Sequence, residues 1–278
     1  MYQNLGSPNP MQPLSIGNVV TAGVRLYRSN LKTYLKLAAS AYLWVLVPIY
    51  GWAKYAAISG LISRLAFGEL VNQPESVSTA HSKIMPRLWS FFRIAFQVGI
   101  SLFLVYIGLT TVALVLAGIV GGIVGTVLGG SSSLTTIIVI TTILASAIIL
   151  LGLLWFYSRW IIAEVPLAVE ENINGGESVA RSWDLTKSFM WRIQGIVLVT
   201  FVVSLPIVIL FSYLPQLLLL PLERGSSAYI IVYLITFIIS LVGGVLVMPF
   251  WQAIKAVIYY DLRTRREGLG LKLRDRNI

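Results

Sequence analysis

The residues of this chain that could do chemistry are few and widely spaced. Its 278 residues include no cysteine and a single histidine, His81. Thiolate nucleophiles, disulfides, thiolate metal sites and multi-histidine metal clusters are therefore excluded within the chain. No GxxxxGK[ST] phosphate loop, HExxH zinc motif or GxSxG nucleophile elbow occurs. His81 stands beside Ser82 and Lys83 in a polar connector, where a solvated or headgroup-level side chain is expected. The carboxylates are scattered, and no pair has a spacing that establishes a general acid with its base. No catalytic residue, metal site or cofactor is expected.

What remains is a small set of ionisable residues beside long apolar runs: Lys54, Arg159, Glu164 and Lys255. Ionisable groups at membrane depth are costly and mark functional sites by default. Arg159, Glu164 and Lys255 are the candidate polar cleft, suited to a headgroup or an ion. The plainer alternative for Glu164 is an interfacial salt bridge with a neighbour such as Lys187 or Arg263. Near the C-terminal end, Arg263, Arg265, Arg266, Lys272, Arg274 and Arg276 form a basic cluster. Such a cluster attracts anionic lipid at about 1 kcal/mol per basic residue, or an acidic partner protein. Arg181 and Lys187 are further candidates for headgroup or partner binding. Asp261 is placed to pair with Arg265 one helical turn on.

The elements that must position these residues are hydrophobic. The chain is 57% hydrophobic and 12% charged, where a soluble domain carries about 25% charged residues; an ordinary soluble enzyme is excluded. Residues 94–128, 134–158, 193–222 and 225–254 contain no Asp, Glu, Lys, Arg or His, and each is long enough to cross a hydrocarbon core of about 30 Å. A shorter run, 37–53, belongs to a hairpin over 31–67, turned near Pro48 and Gly51. The expected fold is all-α: a polytopic membrane protein with about six membrane helices in three hairpins, each preceded by a cytoplasmic amphipathic helix. Nearly every charge falls in 1–36, 64–93, 159–192 and 255–278, whereas 129–136 is uncharged and 221–228 holds only Glu223 and Arg224. The positive-inside rule then puts both termini in the cytoplasm. The net charge of +10 reports orientation, and nucleic acid is not an expected partner.

Internal similarity supports a three-part organisation. Glu75-Ser76-Val77 recurs as Glu177-Ser178-Val179, with Trp89 matching Trp191 at the same offset; Pro48, Lys54, Leu61 and Arg64 correspond to Pro249, Lys255, Leu262 and Arg265. Residues 1–13 read as a disordered tail without a cleavable signal peptide. Residues 14–270 form one helical membrane domain with repeat-like units 14–70, 75–172 and 177–265, and 271–278 form a basic cytoplasmic tail. The amphipathic pieces are expected at 15–29, 75–90 and 177–188. In the first, Val20, Val24 and Tyr27 share one face and Thr21, Arg25 and Arg28 the other, an interfacial pattern. Trp89, Phe91, Phe92, Phe189, Trp191, Tyr259 and Tyr260 suit an aromatic belt, with Arg93 and Arg192 snorkelling beside it. A helix break is expected near 158–166, because 134–171 as one helix would be about 57 Å long. Small residues at Ala113, Ala117, Gly121, Gly125 and Gly129, with Gly118 and Gly122 adjacent, predict close helix packing.

Tyr259-Tyr260-Asp261-Leu262-Arg263, the following Glu267-Gly268-Leu269, and Arg181-Ser182-Trp183 carry a resemblance to the membrane-domain family named after glycerophosphoryl diester phosphodiesterase. It covers roughly residues 14–270. It implies a helical membrane module that some members join to a catalytic barrel with histidine and metal-binding carboxylates. One histidine cannot supply that barrel's site, so phosphodiesterase activity is not implied for this chain. The expected function is binding: a scaffold, assembly or accessory factor for membrane complexes, or a bilayer organiser, with membrane lipids, chiefly anionic ones, or a membrane protein complex as partner. The alternative is transport of a lipid or small amphiphile through a cavity between hairpins, where Pro206, Pro215, Gly243-Gly244 and Pro249 would interrupt helices.

Overall fold

A computed structural model describes residues 14–128 and 131–268 of the chain. Every regular element among them is a helix: α1 (Ile16–Ser29), α2 (Leu31–Val45), α3 (Tyr50–Leu70), α4 (Val77–Ile84), α5 (Leu88–Leu128), α6 (Ser131–Trp160), α7 (Glu164–Val169), α8 (Gly175–Thr186), α9 (Met190–Val208) and α10 (Ser227–Glu267). Four stretches are long and apolar enough to cross a membrane: Val77–Ile123, Ile138–Val169, Met190–Leu219 and Ser227–Glu267. The protein is thus an all-helical chain with four membrane-length apolar stretches. The hairpin α2–α3 does not reach that standard; the 15 residues of α2 extend only about 22 Å.

The chain divides into two compact units, 1–95 with 162–278, and 96–161. The first is built around α3 and α10. Ala53, Ala57, Leu61 and Ile62 of α3, Ile254, Val257, Ile258 and Leu262 of α10, and Ile162 and Leu167 are buried. α1 is capped by Ser15, whose Oγ accepts from the Asn18 N–H. It has the expected two faces, but its apolar side (Val19, Val20, Gly23, Leu26) is buried within the protein. A Cβ on Gly23 would come within 2.2 Å of Ile254 Cδ1, so α10 covers a face that the sequence pattern assigns to lipid. The second amphipathic piece is shorter than expected: α4 gives way to a 3₁₀ turn, Met85–Arg87, and α5 starts at Leu88. The third is α8, held by a capping box in which the Asn174 side chain accepts from the Glu177 N–H and Glu177 accepts from the Asn174 N–H.

The turn between α2 and α3 is a γ-turn. Ile49 takes φ 60°, ψ −70°, closed by the Tyr50 N–H donating to the Pro48 carbonyl at 2.7 Å. A Cβ at Gly51 would lie 1.8 Å from the Trp44 carbonyl oxygen, so only glycine allows this return. The expected break after α6 occurs at 161–163. By contrast α10 runs unbroken through Gly243-Gly244 and Pro249. The interruption falls instead after α9: Pro206 is followed by a π-turn, Ile209–Tyr213, and then a 3₁₀ turn, Pro215–Leu219.

The second unit holds most of α5 and α6. Its large side chains point outward, Leu114 at 68% and Leu150 at 67% exposure. Leu109, Ala113, Ala117 and Gly121 on α5 and Thr141, Ala145, Ile149 and Gly152 on α6 are half-buried. The close approach is at Gly152, where a Cβ would meet Leu109 Cδ1 at 2.5 Å. Ala113, Ala117 and Gly121 of the small-residue stripe thus lie on the half-buried face of α5, while among the described residues nothing lies within 4 Å of a Cβ built at Gly118, Gly121 or Gly122. The side-chain surroundings of position 125, and Gly129 itself, lie outside the described residues.

Candidate functional site

The ionisable residues of the first unit converge on its α3–α10 core. Lys255 Nζ donates to Glu164 Oε1 at 2.7 Å, and both side chains are more than four-fifths buried. Two of the three predicted cleft residues are therefore partners of each other, and neither Lys187 nor Arg263 is the partner of Glu164. Arg159 lies in the second unit, its guanidinium 5.1 Å from the Trp155 ring centroid. Lys54 is held 3.7 Å from the Trp44 centroid.

The C-terminal arginines are also claimed internally. Arg181 bridges Glu170 at 3.1 Å and Glu267 at 2.6 Å; Arg263 donates to Glu267 at 2.9 Å. The Tyr259 hydroxyl donates to Glu170, and Tyr259 is fully buried rather than part of an aromatic belt. Burial works against the Arg181 charge, but the Glu170 and Glu267 carboxylates outweigh it and hold its pKa above the ordinary value. Asp261, 3% exposed, accepts from Arg192 and Arg265 at 3.0 Å each and from the Leu14 N–H at 3.0 Å. The expected Asp261–Arg265 pair is present, whereas Arg192 does not snorkel. The basic cluster is thus corrected: Arg181, Arg263 and Arg265 neutralise carboxylates of the same chain. Arg266 and Lys187 remain exposed, Arg266 donating to Ser188 Oγ at 2.9 Å. Lys272, Arg274 and Arg276 lie outside the described residues.

A third cluster holds the end of α7. Arg64 grips Glu75 with two nitrogens, at 2.8 and 2.7 Å, and donates to the Ala168 carbonyl at 2.7 Å. Arg87 donates to the carbonyls of Leu167, Glu170 and Ile173, which satisfies the orphan acceptors of a helix C-terminus. The Arg64 hydrogen bonds hold the Glu75 carboxyl well below the usual range, at about 2, against the effect of burial and with help from Lys83. Neither arginine stands out in the sequence, because their acceptors are backbone carbonyls that every residue carries. Phe91, expected in the aromatic belt, is instead buried against Gly60, where a Cβ would meet its ring at 2.3 Å. Trp89 and Trp191 are exposed as a belt requires.

Beside α10, within the same unit, a groove of about 480 Å³ is lined by Tyr42, Tyr55, Ser212, Ser240, Gly244 and Gln252, with Val208, Val247, Met248 and Trp251 among its apolar walls. Three local features make it. Gly244 admits Tyr42, whose hydroxyl would be 2.3 Å from a Cβ there; Gly243 admits Phe211 of the π-turn, 2.5 Å from a Cβ. The π-turn pulls Ser212 onto the groove, and such turns recur at functional sites. Tyr42 and Tyr55 meet edge to face with centroids 5.3 Å apart. Gln252 is the one amide in the charge-free run 225–254; that isolation is the signal by which sequence reasoning could have found it. Tyr42, Tyr55, Ser212 and Ser240 carry no such mark.

Among the described residues no group of three or more His, Asp or Glu side chains is placed to hold a metal ion. No family model, curated protein or solved structure matches this chain, and its function is argued from this geometry.

Proposed function

We propose that the protein is a non-enzymatic integral membrane protein that acts by binding, as a scaffold or accessory factor for membrane-embedded partners. The observation that carries this reading is the surface of α5 and α6. Both helices pack through one half-buried stripe and turn their remaining large apolar side chains outward. On α5 the Gly118–Gly122 pair opens onto free space, a shape that lets another helix backbone approach in lipid. In the first unit, ion pairs tie α7, α8 and α9 to α10 and to one another.

In this reading four helical stretches cross, and α2–α3 enters the membrane from the cytoplasmic side and returns. Its tip is apolar, with Leu43, Leu46, Ile49 and Trp52 exposed, and α2 is too short to span. Whether that hairpin spans or re-enters, the number of crossings is even and both ends stay on one side. The basic residues near the ends, exposed Arg25, Arg28, Lys187 and Arg266 among them, make that side cytoplasmic and favour anionic headgroups there.

The test is extraction of the tagged full chain from its own membrane into polymer discs, with mass spectrometry of everything bound. A stoichiometric membrane protein is expected, lost from the Gly118→Leu/Gly122→Leu variant, at whose positions a Cβ has no described neighbour within 4 Å. Protein that carries no partner in either form overturns the scaffold reading. Transport of a small amphiphile is the second reading, favoured by the groove beside the π-turn; reconstituted vesicles that move no amphiphile would remove it.

A further inference from the structure

Gln252 lines the groove beside α10, and the fold occupies only the oxygen of its side-chain amide. Gln252 is 5% exposed, and its Oε1 accepts the Ser63 hydroxyl proton at 2.9 Å, with the Gln252 carbonyl as a second, longer acceptor at 3.5 Å. Its Nε2 has no hydrogen-bond acceptor among the described residues. That nitrogen is not sealed inside the protein, so a bound acceptor can reach it from the groove without displacing a protein partner. Ser63 holds the amide oxygen of a residue that lines the groove.

The rest of the lining says what kind of acceptor fits. Two phenols and two serine hydroxyls surround Gln252, and no lining residue is charged. Lys255, one turn along α10, is paired with Glu164. A phosphate or carboxylate in the groove would be desolvated without a counter-charge, which is prohibitive. A carbonyl oxygen of an ester, amide or quinone asks only for the donors present. Val208, Val247, Met248 and Trp251 provide for a hydrocarbon chain. The volume, about 480 Å³, lies within the range of small-molecule sites. Gly244 is ten residues from the end of the charge-free run at Ile254, about 15 Å along the helix, and Gln252 only two, so the groove runs from near the depth of lipid ester groups towards the middle of a hydrocarbon core about 30 Å thick.

We propose that this groove is a binding site for an uncharged amphiphile with carbonyl oxygens, its carbonyl accepting from Gln252 Nε2 and its chain lying along α10 and the π-turn. Diacylglycerol and isoprenoid quinones are the two membrane sources of that chemistry. The proposal goes beyond the scaffold reading and needs only the membrane placement, not a partner protein.

The full chain is reconstituted in phosphatidylcholine nanodiscs with a trace of diacylglycerol carrying a diazirine in its acyl chain, or of phosphatidylglycerol carrying the same group. Photolabelling by the diacylglycerol probe is expected on peptides covering 208–214 and 240–252, several-fold above the phosphatidylglycerol probe. Gln252→Leu should reduce that labelling about tenfold, the worth of one hydrogen bond, and Ser212→Phe should abolish it by filling the groove from a turn exposed to it. Displacement by unlabelled diacylglycerol supports the site and names that source; displacement by a quinone alone supports it and names the other. Equal labelling by both probes, labelling confined to other helices, or labelling unchanged in Ser212→Phe overturns the proposal. Loss of the co-purifying partner in the disc experiment would not affect this readout, so the two readings fail separately.

Discussion

The core of the first unit and the helix pair of the second use the same amino acids in opposite ways. In the core of the first, apolar side chains such as Leu61, Ile162 and Ile258 are buried in the protein, and Arg64, Arg87, Arg181, Arg192, Arg263 and Arg265 each find a carboxylate or a carbonyl, although α9 and the first half of α10 turn Leu198, Phe201 and Ile231 outward. In the second, over 96–161, leucines and isoleucines face outward and charge is almost absent. Water-like rules govern the α3–α10 core of the first, because burying apolar area and pairing charge both lower its free energy. Lipid rules govern the second: an outward leucine costs nothing in hydrocarbon, and only backbone hydrogen bonding has to be complete. One chain therefore carries a core that is sensitive to substitution next to a helix pair that is tolerant of it.

That contrast can be broken most severely at Asp261. Asp261→Ala leaves Arg192 and Arg265 without their shared carboxylate, and about 3–5 kcal/mol of stability should go with it. Thermal melting of the purified protein in detergent is the check, and an unchanged midpoint would show that these pairs do not hold the unit together. Next in size is a charge placed on the other region. Leu114→Asp should cost about 2.5–3.5 kcal/mol of membrane insertion, read as the fraction of chain integrated in a microsomal assay, while Leu114→Ala should change melting by no more than about 0.5 kcal/mol.

A smaller effect belongs to Glu75. Its folded pKa, about 2, lies below the ordinary 4.5, so the stability it contributes is complete above about pH 4.5 and is lost as pH falls towards 2. Glu75→Gln should melt lower than the natural chain at pH 7, and the gap should narrow to roughly half on acidification to pH 3 and close towards pH 2. A gap that stays constant with pH would mean Glu75 acts through packing. The smallest expected change sharpens the contrast: Ile143→Val on the outward face of α6 should leave melting within about 0.5 kcal/mol, where Ile258→Val in the core should cost about 0.5–1.5 kcal/mol.

Much of the local structure was legible in the chain. The Ser15 cap, the start of α8 near Glu177 and the break around 161–163 follow from capping residues and from a run too long for one span. The internal repeat was partly informative. Leu61 and Leu262 are both buried, and Arg64 and Arg265 each grip a carboxylate. Yet Glu75 takes Arg64 while its counterpart Glu177 closes a capping box, so equal residues at equal offsets serve different tasks. Similarity along the chain constrains the elements and not their partners.

The sequence alone determined that the chain is helical, that four stretches are long and apolar enough for a membrane, and that the charges gather in the segments 1–36, 64–93, 159–192 and 255–278. These are one-dimensional properties, set by runs of side-chain hydropathy and by capping within a few residues. Only the tertiary structure decided that Glu164 belongs to Lys255, that Asp261 receives the Leu14 N–H from 247 residues away, that the apolar face of α1 meets α10 instead of lipid, and that Gln252 opens onto a groove. An ion pair or a cavity depends on which surfaces meet, and that is a property of packing between segments far apart in the chain.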